Sequence, residues 1–411
     1  MKNKRMKHIQ LTLIVFISLC SLSLFELRGI SSPVANSLQL LGVLLIFTTI
    51  AIYMVYYRGA LFAGPMHFTM PLIIMTLCVV SSVIYAAYRF DQSIHISIYQ
   101  SRSFFFFFIY FVLHIFMPKG EDIEKIILSI GLTAALIFLI QTVVYPVRII
   151  ESKIFYDRNT LRIFMKGEQF RIMGYLIVVN RFMLYKKTIN ILYLLIFLAV
   201  AVLIGSRSTL AFHLFIPLLI LLTRKQINNR FLLLLVISAM VVSLLAIFWN
   251  IIESMLTVSQ LHAAQGNQYG RFRAIRFFIN DFMTPVSFFT GNSVAHGTSE
   301  YGRLLYNLSM YKGYYLSDIG LVGTLVIYGI IYVSVSLFLM FKTVFRQLPN
   351  HLMYIRHYFI LLFLVSIFSY SIFDGGQGAI ILSFLFFIID RYEYAANKIP
   401  GKHPSNKIIL P

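Results

Sequence analysis

Arginine side chains in separate stretches of this sequence have the chemistry of an anion-binding site. The Gly-Ser-Arg-Ser-Thr stretch at 205–209 is a polar break between two apolar segments, and it contains Arg207. A second stretch supplies Arg271, Arg273 and Arg276. A guanidinium group binds phosphate oxygens through two parallel hydrogen bonds and stays charged when partly desolvated. These stretches predict binding of a phosphate-bearing ligand.

Further arginines accompany these two stretches. The segment 146–171 contains Arg158, Arg162 and Arg171, and Arg303 follows the second stretch in a long polar segment. We interpret all of them as contributions to one convergent anion site. The alternative is that each arginine extends its charged head to the membrane surface, as long cationic side chains do at interfaces. On a helix the second stretch would also suit an interfacial helix against anionic lipid headgroups.

Aromatic and acidic residues near the arginines complete the candidate site. Tyr314 and Tyr315 are candidates for stacking on sugar rings, although tyrosine is also typical of membrane interfaces. Asp318 lies at the start of an apolar segment, where a carboxylate is costly unless it is paired. We therefore consider Asp318 a candidate general base toward a hydroxyl group, or a group that orients an arginine.

The elements that must position these residues are membrane helices. The chain has 411 residues, of which 59% are hydrophobic and 12% charged, and its mean hydropathy is +0.81. Soluble domains carry about a quarter charged residues, so a water-exposed fold is excluded. The apolar runs suit a bilayer core about 30 Å thick and do not alternate as barrel strands do. The prediction is an all-α polytopic membrane protein, with residues 1–411 as one membrane domain.

Hydropathy predicts about twelve transmembrane helices and two longer external loops. The predicted helices are 10–25, 37–57, 69–88, 97–117, 124–145, 172–185, 189–205, 208–223, 231–249, 317–340, 357–373 and 377–390. The longer loops are 146–171 and 250–316, the second between helices nine and ten. The sixth helix is the least regular, because it is short and contains Asn180 and Arg181.

The formal net charge of +20 is divided between two membrane faces rather than gathered for nucleic acid. Cations concentrate in the cytosolic segments when both termini are cytoplasmic, which agrees with the positive-inside bias. The predicted external segments carry mostly arginine, whereas the cytosolic segments carry mostly lysine. Cations that served membrane orientation alone would show no preference for arginine over lysine on the external face. The arginine bias there therefore favours a phosphate-binding role for the external segments.

Several common functional motifs are missing from the sequence. There is no Walker loop, no His-Glu-x-x-His motif, no Gly-x-Ser-x-Gly elbow and no Asp-x-Asp pair. The two cysteines, Cys20 and Cys78, lie in apolar runs and offer neither a disulfide framework nor a cysteine-based metal site. We therefore expect no cofactor and no metal, and the energy for any reaction must come from the substrate.

The pattern resembles the O-antigen polymerase and ligase superfamily. The resemblance is carried by the Gly-Ser-Arg break at 205–207, the Thr-Pro pair at 284–285 and Thr-Gly-Asn at 290–292. It continues at 317–323 and at Tyr-Gly-Ile 328–330, which look like the opening of the helix after the large loop. The motifs fall in the C-terminal half; the N-terminal half is similar in hydropathy alone. The family arginine of the large loop corresponds to either Arg271 or Arg273.

The resemblance implies glycosyl transfer on the outer face of a bacterial inner membrane, with polyprenyl-pyrophosphate-linked oligosaccharides as substrates and membrane lipid as surroundings. A chain-length regulator protein is a further implied partner, and no nucleic acid is expected. Ligases of the group tend to carry a His just before the helix that follows the large loop, where this chain has Tyr314-Tyr315. We therefore expect a metal-independent polymerase that makes O-antigen, capsule or exopolysaccharide; a ligase and a lipid-linked sugar flippase are the alternatives.

The candidate residues divide by role. The predicted catalytic residues are Arg207, Arg273 and Asp318, and the predicted substrate-binding residues are Arg162, Arg171, Arg271, Arg276, Arg303, Tyr314 and Tyr315.

Overall fold

The part of the protein that the structure describes is a bundle of helices with one small hairpin. A computed structural model describes residues 2–57, 65–157, 160–204, 269–368 and 375–397, together with isolated residues between 210 and 266. Helices account for 81% of the structure, and six of those described are long and apolar enough to cross a membrane. The prediction of an all-α membrane protein is confirmed at this level.

The helices of the first half run from the N-terminus to residue 203, and those of the second half follow from residue 270. The first set is α1 (Lys2–Ser21), α2 (Ser32–Tyr57), α3 (Thr69–Phe90), α4 (Ile94–Gln100), α5 (Ile109–Phe116), α6 (Gly120–Val144), α7 (Glu168–Tyr185) and α8 (Thr188–Leu203). The second set is α9 (Gly270–Arg276), α10 (Pro285–Thr290), α11 (Glu300–Lys312), α12 (Leu321–Val344), α13 (Met353–Phe368) and α14 (Gly376–Asn397). A 3₁₀ segment, Ser101–Phe108, joins α4 to α5, and a π-helical segment, Phe277–Phe282, extends α9.

Large apolar side chains on the long helices face outward. Leu44, Val55, Leu77, Ile84 and Phe338 are each more than half exposed. Monomeric soluble proteins rarely expose contiguous apolar surface on this scale. This belt of exposed aliphatic and aromatic groups indicates that lipid surrounds the bundle.

Most predicted spans coincide with helices. Each predicted span from 10–25 to 189–205, and from 317–340 to 377–390, overlaps a helix of the structure. The predicted spans 208–223 and 231–249 lie largely outside the described residues. The count of about twelve crossings therefore stays a prediction.

The irregular sixth span is an ordinary helix of the bundle. It begins at Glu168 rather than at residue 172, and Arg181 lies within it. The Arg181 guanidinium is 2.6 Å from a carboxylate oxygen of Glu124 on α6, and Tyr354 of α13 donates to the other oxygen at 2.7 Å. Because a partly buried cation is balanced by this carboxylate, the helix tolerates it inside the bundle.

The segment 146–171 folds around a short hairpin. Strand β1 (Ile154–Asp157) pairs antiparallel with β2 (Thr160–Ile163), and Phe155 lies opposite Arg162. Lys166 pairs with Glu26 at 2.9 Å, which ties the segment to the 3₁₀ turn Ser23–Glu26 that follows α1. The all-α expectation thus needs one small exception at this position.

The bundle has two ends that differ in composition. We call the end that holds Arg89 and Gly320 the loop end, because the polar segments between the helices gather there. We call the end that holds Asp390 and Glu393 the carboxylate end. Helices α3 and α12 run antiparallel between the two ends. At the loop end, Arg89 near the end of α3 contacts the segment that docks on the first part of α12. At the carboxylate end, Glu393 contacts both His67, just before α3, and Arg346, just after α12.

Helix α12 is interrupted, and a segment of the large loop fills the break. Gly329 has φ +81° and ψ 172°, so the carbonyls of Val326 and Ile327 are released from the helix. The backbone N–H groups of Asn292 and Ser293 donate to these two carbonyls at 2.9 and 2.8 Å. Non-helical backbone at membrane depth requires such internal partners. The short helix α10 is thereby held against α12.

Candidate functional site

The strongest anion-binding feature of the described structure is Arg171, in the first turn of α7. Its side chain is buried, with 5% of the residue exposed, and its guanidinium carbon lies 5.2 Å from the ring centroid of Phe138. Its Nη1 has no hydrogen-bond partner among the described residues. A buried guanidinium with an unsatisfied N–H is costly unless a ligand or a water accepts from it.

Close packing of α6 on α7 buries Arg171. A Cβ at Gly131 of α6 would lie 2.5 Å from the carbonyl oxygen of Phe170, so glycine is required for this approach. Farther along α7, a Cβ at Gly174 would lie 2.9 Å from the ring of Phe197 on α8. Two small residues therefore draw α6, α7 and α8 together around the arginine.

A small hollow adjoins Arg171 at the loop end. It is lined by Glu168, Arg171, Ile172, Phe197, Val200, Ala201, Ile204 and His213. Tyr175 donates a hydrogen bond to the backbone carbonyl of His213, which holds the chain after residue 209 against α7. The hollow thus combines one buried cation, one carboxylate and an apolar wall, and its empty volume is about 230 Å³.

Arg207 and Arg158 lie outside the described residues. Ile204, which directly precedes the 205–209 stretch, and His213, which follows that stretch, both line the hollow. The position of the Gly-Ser-Arg stretch relative to Arg171 stays a prediction. Arg162, in β2, is half-buried, and the hairpin that carries it packs on α6.

The arginines of the large loop form a second group, on the surface of the loop end. Arg273 and Arg276 of α9 are exposed, as is Arg303 of α11. Arg271 is half-buried and lies 5.9 Å from the ring centroid of Tyr269. On the opposite face of α9, Ala274 is buried in an apolar cluster. Helix α9 is thus amphipathic with its cations outward, as both the anion-site and the interfacial interpretations require.

Asp318 and the two tyrosines stand beside this second group. The Tyr314 ring lies 5.5 Å from that of Phe277, whereas Tyr315 is exposed. Asp318 is half-buried and accepts a hydrogen bond from the Ser317 hydroxyl at 3.3 Å. The structure thus brings Asp318, Tyr314 and the α9 arginines to one cap, where Phe277 directly follows Arg276.

The predicted site residues therefore fall into two groups. Arg171 lies in the hollow between α7 and α8, while Arg273, Arg276, Arg303 and Asp318 lie on the cap formed by the large loop. Both groups are at the loop end. None of the described contacts joins a residue of one group to a residue of the other, so their convergence stays a prediction.

Sequence analysis missed the residue that holds the cap in place, Arg89 at the end of α3. Its guanidinium donates to Oδ1 of Asn292 at 2.8 Å and to the backbone carbonyl of Phe282 at 2.6 Å. It also lies over the rings of Phe90 and Phe282, at 4.7 and 5.0 Å. Arg89 thus clamps the large loop to α3.

An aromatic stack continues from the clamp into the cap. The Phe90 and Tyr301 rings are parallel, with centroids 4.2 Å apart. Burial raises the pKa of the Tyr301 hydroxyl above its ordinary value, and the positive charge of Arg89 opposes this shift in part. The Tyr301 hydroxyl donates to the backbone carbonyl of Ser293 at 3.4 Å, so the residue joins the stack to the docked segment.

No protein-family model matches this chain, and comparisons with curated proteins and with solved structures find no similar protein.

Proposed function

We propose that this protein joins oligosaccharide repeat units carried on polyprenyl pyrophosphate, on the outer side of a bacterial inner membrane. The observation that carries the proposal is the buried Arg171 guanidinium, which lines a hollow at the loop end and whose Nη1 has no hydrogen-bond partner among the described residues. A lipid diphosphate has oxygen acceptors that suit this guanidinium, and its apolar tail would lie outside the hollow, whose empty volume is about 230 Å³. The loop end is then the external end, and both termini are cytoplasmic.

The chemistry needs a cation where negative charge develops. A hydroxyl of the incoming unit attacks the anomeric carbon of the donor, a glycosidic bond forms, and the bond from that carbon to the pyrophosphate oxygen breaks. The leaving diphosphate keeps the electron pair, and a base takes the hydroxyl proton. Preorganised guanidinium groups at the leaving diphosphate lower the barrier to this step. In this proposal Arg171 and Arg207 bind the leaving diphosphate.

The cap arginines serve the second lipid-linked substrate. Arg273, Arg276 and Arg303 present exposed guanidinium groups on the same end of the bundle, beside the membrane surface. Asp318, half-buried on the cap, is the proposed base, and Tyr314 and Tyr315 are the proposed sugar-stacking groups. Arg162 and Arg271 complete the binding set on the hairpin and on α9.

Two alternatives share the anion site. A ligase would transfer finished polymer to another acceptor, with the same leaving group. A flippase for lipid-linked sugars is favoured by one observation, the break in α12 at Gly329, because interrupted helices line substrate paths in many transporters. The burial of Arg171 inside the bundle is also compatible with transport.

Reconstituted protein distinguishes these functions. Proteoliposomes that carry purified lipid-linked repeat units are incubated, and the products are separated by length. We expect a ladder of extended chains with wild-type protein and loss of the ladder with Arg171→Gln. Arg28→Gln is the matched control, because Arg28 is an exposed loop-end cation away from the hollow. Movement of single units across the bilayer without a ladder would replace polymerisation by transport, and a ladder from Arg171→Gln equal to wild type would refute the role of Arg171.

A further inference from the structure

The carboxylate end holds a group of metal-ligating side chains that the proposed function does not use. His67 precedes α3, and Asp390 and Glu393 lie near the end of α14. One ligand atom from each of these three side chains lies within 4.8 Å of the others. The His67 Nε2 and a Glu393 carboxylate oxygen are 3.1 Å apart.

A fourth residue, His114 of α5, lies outside this three-residue group but contacts one member of it, Asp390, from the interior. Its side chain is 2% exposed, and neither ring nitrogen has a hydrogen-bond partner among the described residues. Its Nε2 lies 3.4 Å from Oδ2 of Asp390. The Asp390 side chain is fully buried, and its Oδ1 likewise lacks a hydrogen-bond partner among those residues. Two buried polar groups with unused lone pairs or protons need an explanation, because each such group carries a desolvation cost.

Neighbouring side chains orient the two carboxylates. Tyr110 donates a hydrogen bond to Oδ2 of Asp390, which leaves Oδ1 available. Arg346 binds Glu393 through Nε and Nη2, one nitrogen on each carboxylate oxygen. Ligating carboxylates in metal sites are held by hydrogen bonds of this kind, and the partners fix their geometry.

We propose that His67, His114, Asp390 and Glu393 form a binding site for a divalent transition-metal ion of the zinc class. The donor set of two imidazoles and two carboxylates suits zinc, which takes tetrahedral nitrogen and oxygen ligands. Ligands about 2.0–2.1 Å from a tetrahedral centre lie about 3.3 Å from one another. The separations of 3.1 Å (His67 to Glu393) and 3.4 Å (His114 to Asp390) match two of the six ligand edges of such a polyhedron, and His114 would have to approach the other three ligands when the ion binds.

The site is closed on one side and open on the other. His114 and Asp390 form a buried floor, whereas the side chains of His67 and Glu393 are 41% and 24% exposed. An ion therefore reaches the site past His67 and Glu393. Of the two carboxylates, Glu393 is paired with Arg346, whereas Asp390 has no Lys or Arg within ion-pair distance among the described residues; Lys342 lies nearby, with its Nζ 3.4 Å from the His67 carbonyl oxygen.

A bound ion would link three parts of the bundle at this end. His67 belongs to the segment before α3, His114 to α5, and the two carboxylates to α14. The site lies at the opposite end from Arg171 and Arg89. It therefore does not depend on the proposed glycosyl transfer, and its expected effect is on metal uptake and on the stability of the bundle.

Metal uptake by purified protein tests the site. The detergent-solubilised chain, with no histidine tag, is stripped with a chelator and dialysed against zinc, and bound zinc is measured by elemental analysis. Cobalt serves as the spectroscopic probe, since its absorption reports tetrahedral nitrogen and oxygen ligation. We expect one equivalent of zinc and a rise in thermal stability that the chelator reverses.

The variants locate the ion. His67→Gln and Asp390→Asn should each abolish stoichiometric uptake, and Tyr110→Phe should weaken affinity by about 10–100-fold, because it removes a hydrogen bond to a ligand. His296→Gln is the control, since His296 lies at the loop end and should leave uptake unchanged. His67 is exposed enough that its variant keeps the fold and decides the outcome if Asp390→Asn does not.

Three results would overturn the proposal. The first is a wild-type chain that takes up no zinc or cobalt at millimolar concentration. The second is a His67→Gln variant that retains full uptake, and the third is a His296→Gln variant that loses it. In each case the group would be a structural ion-pair network alone.

Discussion

Replacing Arg89 with Lys should release the large loop from α3. The guanidinium fork reaches two acceptors at once, Asn292 Oδ1 and the Phe282 carbonyl, at 2.8 and 2.6 Å. An ammonium group on a shorter stem reaches one of the two, because it lacks the planar fork. The other acceptor then loses its partner, and Asn292 is fully buried.

The expected cost follows from these contacts. A hydrogen bond from a charged donor contributes about 1.5–3 kcal/mol, and a half-buried cation–π contact about 0.5–1 kcal/mol. Losing one bond and part of the stacking on Phe90 and Phe282 should cost about 2–3 kcal/mol. At 1.4 kcal/mol per tenfold, the open population of the cap should rise by about 30–150-fold.

Limited proteolysis within 269–320 measures that population. In the regime of fast opening and closing, the cleavage rate follows the equilibrium between docked and released cap. Arg303→Lys is the control, because Arg303 is exposed on the same cap. A cleavage rate for Arg89→Lys within a factor of about two of that for Arg303→Lys would refute the clamp.

Two further substitutions test the bundle. Gly329→Ala should destabilise the docked segment by about 1–3 kcal/mol, because residue 329 has a backbone conformation that favours glycine and a Cβ there would overlap the Phe289 carbonyl. Thermal unfolding measures this loss of stability. Equal stability of Gly329→Ala and the control Gly297→Ala would contradict it. Arg181→Met should lower the free energy of unfolding by about 1–3 kcal/mol in the same assay, because it leaves the partly buried Glu124 carboxylate without its cation. An unchanged melting temperature would show that the ion pair contributes nothing to stability.

Hydropathy predicts the helices well because burial in lipid dominates their energetics. The predicted span 69–88 is observed as Thr69–Phe90, and 124–145 as Gly120–Val144. The boundaries differ by a few residues, because helix ends depend on local capping and packing rather than on apolar content. The sixth helix begins earlier than predicted for this reason: polar Glu168 and Arg171 are part of it, and close packing on α6 buries Arg171.

Long-range contacts are what the sequence did not reveal. The break in α12 depends on Gly329 meeting Gly291 and Phe289 of the large loop, and a local pattern favours one continuous helix there. Arg89 is a single cation at a helix end, which is typical of a snorkelling side chain. Its role depends on Asn292, distant in sequence.

The candidate site stays a prediction, and its residues differ in their surroundings. Arg273 and Arg276 are exposed on a cap, whereas Arg171 is buried in a hollow. The spacing of cations along the chain does not distinguish these situations. The group around Asp390 has no motif either, because its members come from three separate segments.

Binding of a lipid diphosphate to the purified protein tests the central claim most directly. A short polyprenyl diphosphate should bind wild-type protein, and Arg171→Gln should weaken its affinity by about 10–150-fold, the equivalent of one lost charge-assisted hydrogen bond. Arg28→Gln should bind as wild type does. Equal affinity of the Arg171→Gln variant and wild type, or tight binding of a polyprenyl alcohol without phosphate, would contradict the account.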